Sequence, residues 1–110
     1  MNRIKVMADY HCWPLWEAGD EVGDIDPGSL PISDGLRSGL LGWADEFDGI
    51  LNEEDPAASG FSSPAAEREF DEDGRALAGR LASELRETHE VVYYSVRSAS
   101  VEPVPLVGAV

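Results

Sequence analysis

The residues best equipped for chemistry lie near the start of the chain, in the run Asp9-Tyr10-His11-Cys12-Trp13, with a second histidine at His89. A histidine beside a thiol can ligate zinc or activate a sulfur nucleophile. If the first and last strands ran antiparallel, His89 would close on His11 and Cys12. The local pattern argues against such a centre. Neighbouring residues of a strand point to opposite faces, no fourth ligand is evident, and the chain has no CxxC or HxxxH spacing. Cys12 therefore reads as a small buried apolar residue, with no metal, no cofactor and no catalytic residue expected. The alternative is a small metal-binding or Cys/His-dependent enzyme that uses His11, Cys12 and His89.

The next reactive groups are the carboxylates Asp20, Glu21, Asp24 and Asp26. Asp24-x-Asp26-x-Gly28 matches part of a calcium loop. The terminal glutamate is missing at its required distance, however, and Pro27 interrupts the run. Nothing gives two of these acids the contrasting environments that paired-carboxylate catalysis needs. No GxSxG, phosphate-binding loop or dinucleotide fingerprint occurs. The expectation is a protein that is not an enzyme.

Charge says more than any motif. The 110 residues hold 8 Lys+Arg and 22 Asp+Glu, for a formal net charge of −14. Residues 17–55 carry most of it, since twelve acids there face Arg37 alone. Nucleic acid and anionic membranes are excluded as partners because phosphate binding needs clustered Lys and Arg. A basic partner is favoured instead, drawn in by long-range attraction. The single cysteine permits no internal disulfide and fits a reducing compartment. The first residues lack the apolar run of a signal peptide, and no stretch approaches the eighteen apolar residues of a membrane helix. A cytoplasmic location is expected.

The elements that must position these groups follow from periodicity. Residues 3–10 alternate, with Ile4, Val6, Ala8 and Tyr10 on one side, as a half-buried strand does. Residues 11–32 are punctuated by Pro14, Gly19, Gly23, Pro27, Gly28 and Pro31, and read as a long loop with room for one short strand near Trp13–Glu17. Ser33 caps a first helix whose apolar stripe runs Leu36, Leu40, Trp43, Ala44, Phe47, Ile50, Leu51. Ser63 and Pro64 open a second helix with the stripe Ala66, Phe70, Leu77, Leu81, Leu85. Gly74 either lets that helix approach a neighbour closely or breaks it. Residues 90–97 are β-branched and aromatic, as in a strand. The expected fold is α+β: one two-layer domain over residues 1–97, two helices on one face of a two- or three-stranded sheet, then an extended, flexible tail over 98–110. So thin a sheet has exposed edges that invite pairing. A homodimer, or a homo-oligomeric regulatory or structural module, is a further reading.

Helical geometry places Asp34, Leu41, Asp45 and Asp48 on one flank of the first helix, so that an apolar residue stands among acids. The loop adds Asp20, Glu21, Asp24 and Asp26, and the helix exit adds Glu53, Glu54 and Asp55. Trp13 and Trp16 precede the acidic loop, and aromatic anchors rimmed by charge are typical of binding hot spots. The expected partner-binding residues are Trp16, Asp20, Glu21, Asp24, Asp26, Leu41, Asp45 and Asp48.

The run Val6-Met7-Ala8-Asp9-Tyr10, then Trp16, Leu30-Pro31-Ile32-Ser33, Trp43-Ala44 and Phe70 with Gly74, Leu77 and Ala78, resembles a group of small acidic bacterial proteins of actinobacterial type. In size and charge the chain is also similar to the immunity proteins of bacterial toxin systems. That resemblance implies a non-enzymatic inhibitor which neutralises a cognate toxin by occluding a basic surface, with a basic toxin domain as its protein partner.

Overall fold

The computed structural model describes residues 2–18, 23–51 and 60–104. Five strands and two helices follow in the order β1 (Asn2–Val6), β2 (Leu15–Glu17), β3 (Asp24–Ile25), α1 (Asp34–Asp48), α2 (Pro64–Glu84), β4 (His89–Ser95) and β5 (Ser100–Pro103). The sheet is mixed, in the order β3-β2-β1-β4-β5. β1 and β4 run parallel, with Asn2 beside His89 and Val6 beside Tyr93, while the other three pairings are antiparallel. This is the expected α+β two-layer fold with a wider sheet. The two extra strands span only two and four residues. Segments that short hold strand geometry through their partners' hydrogen bonds rather than through their own composition. β5 also brings residues 100–103, within the segment read as a tail, into the sheet; residues 105–110 lie outside the described part.

The helices begin where the sequence marks them. The Ser33 side chain accepts from the Leu36 amide, and the Ser63 side chain accepts from the Ala66 amide. Each cap satisfies a donor that the first helical turn leaves unpaired. α2 continues unbroken through Gly74, where the missing side chain makes room for Trp43 of α1 and Tyr93 of β4. A Cβ there would lie 2.5 Å from Trp43 Cζ2 and 2.5 Å from the Tyr93 hydroxyl.

The core lies between the helices and one face of the sheet. Ile4, Val6, Leu15, Val91 and Tyr93 of the strands meet Leu36, Leu40, Trp43, Phe70, Ala78 and Leu81 of the helices. Burying one such leucine or isoleucine stabilises the fold by about 1.5–3 kcal/mol. Trp43 stacks on Phe70 with ring centroids 4.6 Å apart, and its indole NH donates to the Phe70 carbonyl. Among the described residues no helix covers the opposite face of the sheet.

Candidate functional site

The acidic flank of α1 and the Tyr10–Trp13 loop meet in space. Leu41, Ala44, Asp45 and Asp48 of α1, Asp24 of β3 and the His11–Trp13 segment line one groove. Two carboxylates hold it together. Asp48 Oδ1 accepts from the His11 amide at 2.9 Å, and Asp24 Oδ2 accepts from the Trp13 amide at 2.7 Å. His11 has φ 60°, in the left-handed region that non-glycine residues seldom occupy. That turn exposes the Trp13 ring (43% accessible) beside the acids. Asp45 is exposed and Leu41 half-buried. The groove thus combines an apolar floor with a negative rim, a surface suited to a cation on a hydrocarbon stem.

The other expected residues are distributed differently. Asp26 caps the short 3-10 turn Pro27–Ser29 by accepting from the Gly28 amide at 2.8 Å. Trp16 pairs across the sheet with Lys5, on the face away from the helices, and its indole NH donates to the Met7 carbonyl at 2.9 Å. Within the groove it is Trp13, the other tryptophan weighed as an anchor, that stands beside the α1 acids. Asp20 and Glu21, with the helix-exit acids Glu53, Glu54 and Asp55, lie outside the described residues.

The Cys/His trio does not converge. Because β1 and β4 are parallel, His89 sits beside Asn2, the full length of β1 away from the His11–Cys12 loop, on the order of 13 Å at about 3.3 Å per residue. Antiparallel pairing was the condition for a shared centre. Partial burial and the negative charges of Asp9, Asp24 and Asp48 push the Cys12 thiol up from its ordinary range. Its Sγ lies 3.3 Å from the Tyr10 carbonyl, as a donor. A nucleophilic cysteine needs the reverse, an electropositive setting that lowers its pKa. Among the described residues no group of three or more His, Cys, Asp or Glu is placed to hold a metal. None of the described helices is long and apolar enough to cross a membrane.

One polar cluster escapes sequence reasoning altogether. Asp71 of α2 is 1% accessible. It accepts from the Tyr93 hydroxyl at 2.9 Å and from Ser95 Oγ at 3.0 Å, and pairs with Arg75 at 3.0 Å. Arg75 also pairs with Glu102 of β5 and lies over the Tyr93 ring. Every member has a partner, which is the condition under which a buried carboxylate is tolerated. Its only trace in the sequence is the Asp71–Arg75 spacing of four. The cluster ties α2 to β4 and β5, so its part is to fix the architecture that carries the site.

Residues 2–96 match the model of the Serratia CdiI immunity protein-like family. The chain belongs to that family. No curated protein matches it. The family accords with the likeness to toxin immunity proteins and implies a protein partner.

Proposed function

We propose that this chain is a cytoplasmic, non-enzymatic immunity protein that neutralises a cognate toxin by covering a basic surface of it. The observation that carries this reading is the match of 95 of the 110 residues to an immunity protein-like family. The charge distribution supplies the mechanism. A net charge of −14 draws a basic domain in from a distance. The groove then supplies short-range contacts: Leu41 and the exposed Trp13 face are the apolar anchors, while Asp24, Asp45 and Asp48 meet Lys or Arg of the partner. Asp26 and, by their place in the sequence alone, Asp20 and Glu21 add to the same negative charge. Trp16, on the helix-free face of the sheet, takes no part in that contact.

The test is association with the cognate toxin domain. Asp45→Lys should slow association about tenfold at low salt, by reversing one rim charge. Glu87→Lys, an equal charge change outside the groove, should have a much smaller effect. Equal effects from both would leave the groove without a role.

A further inference from the structure

Among the described residues the two helices cover only one face of the sheet. On the other face the alternate residues Arg3, Lys5, Met7 and Asp9 run along β1 and its extension, and together with Trp16 and Val92 they line a shallow groove. Val101 of β5 lines it as well and is 53% accessible, one of the two large hydrophobic residues exposed in the described chain. A solvated sheet face is ordinarily polar; the centre of this one is methionine, tryptophan and valine. Its charges are ordered along the strand. Arg3 is already paired with Glu90 at 3.0 Å. Lys5, the only lysine of the chain, forms no ion pair among the described residues. Asp9 is exposed at the other end of the row, and one of its oxygens accepts from the Tyr10 amide.

We infer that this face binds a second copy of the chain about a two-fold axis through Met7. A residue row reading cation, apolar, anion is complementary to itself when reversed. With strands antiparallel across the contact, Lys5 of each copy lies over Asp9 of the other. Val101, level with Met7, closes the apolar centre, while Trp16 and Val92, level with Lys5, flank the ion pairs, within the roughly 10 Å spacing of stacked sheets. Glu17, also at the groove, stays on the rim. Two bodies of charge −14 repel elsewhere, so the face that presents Lys5 is where they can meet. Screening that net repulsion should make the dimer tighter as salt rises, opposite to the dependence expected for a basic toxin. The inference does not depend on the toxin reading.

Sedimentation velocity of the full chain across micromolar to millimolar concentrations tests it. The expected result is a reversible monomer–dimer equilibrium that strengthens with salt. Val101→Glu, Lys5→Glu and Asp9→Lys should each weaken it by about tenfold or more, with circular dichroism confirming the fold. An equimolar mixture of the Lys5→Glu and Asp9→Lys chains should dimerise again, because each then carries the complement of the other. A wild-type chain that stays monomeric overturns the inference. So does a dimer indifferent to all three substitutions, or a mixture no better than its separate components. Loss of toxin binding by Val101→Glu with dimerisation unchanged would also overturn it, by assigning the face to the toxin.

Discussion

The His11 backbone amide donates to Asp48 Oδ1 at 2.9 Å, and this bond fastens the Tyr10–Trp13 loop to the last turn of α1. Asp48 thus has two duties, holding a left-handed turn in place and presenting charge at the groove. Substitution separates them. Asp48→Asn keeps an acceptor and should leave stability near wild type, whereas Asp48→Ala should cost about 1 kcal/mol by orphaning the amide. Urea denaturation of both variants checks this, and equal losses would mean that charge rather than the hydrogen bond holds the loop.

Gly74 leaves no room for a side chain between α2, Trp43 and Tyr93. Gly74→Ala gains about 1 kcal/mol in helix propensity but forces the Trp43 and Tyr93 rings apart, at about 1–3 kcal/mol for overpacking. The net expectation is destabilisation, with lower near-ultraviolet dichroism from the displaced tryptophan. A more stable Gly74→Ala chain would contradict the packing described.

Burial, the hydrogen bond to Asp71 and the charge of Asp71 together hold the Tyr93 phenol well above its ordinary value of 10.0. The folded protein therefore keeps a proton that the unfolded chain releases near that pH. The resulting stabilisation is complete below pH 10 and is lost as pH rises above it. Denaturant midpoints should fall steeply on the alkaline side of that value. Tyr93→Phe should be less stable at neutral pH, because Asp71 loses a donor, and its alkaline fall should be shallower. Equal slopes for the two chains would show that Tyr93 is not the group concerned.

Ala99, in the turn between β4 and β5, has φ 53° and donates its amide to the Ser95 carbonyl at 2.8 Å. An alanine pays for that left-handed conformation, and glycine does not. Ala99→Gly should raise stability by about 1 kcal/mol in thermal or urea unfolding. A loss instead would mean that the flexibility added to the unfolded chain outweighs the relief.

These residues also show what the sequence makes legible. Ser33 and Ser63 declare both helix starts because capping is local chemistry, and the alternation of Ile4 and Val6 declares β1. Asp24-Ile25 and Ser100–Pro103 declare nothing, since their pairing depends on β2 and β4. The parallel course of β1 and β4 is a property of the whole chain path, and it separates His89 from His11. At the site, the α1 flank of Leu41, Asp45 and Asp48 is readable from helical periodicity. The loop that completes the groove is not: Asp24 reaches it through a two-residue strand, and Trp13 through a left-handed turn at a histidine. Asp71 looks like one more surface acid of an acidic helix until Tyr93 and Ser95 arrive from β4.

In the proposed function the acidic groove beside Leu41 and Trp13 is the surface that meets the toxin. It is tested most directly by the association rate with the cognate toxin domain, measured by stopped-flow fluorescence as salt is raised, for the wild-type chain and for Asp45→Lys. The expected result is a wild-type rate that falls steeply with salt and a variant that is slower at low salt and less salt-dependent. Tight association that ignores both salt and the reversal at Asp45 would contradict it.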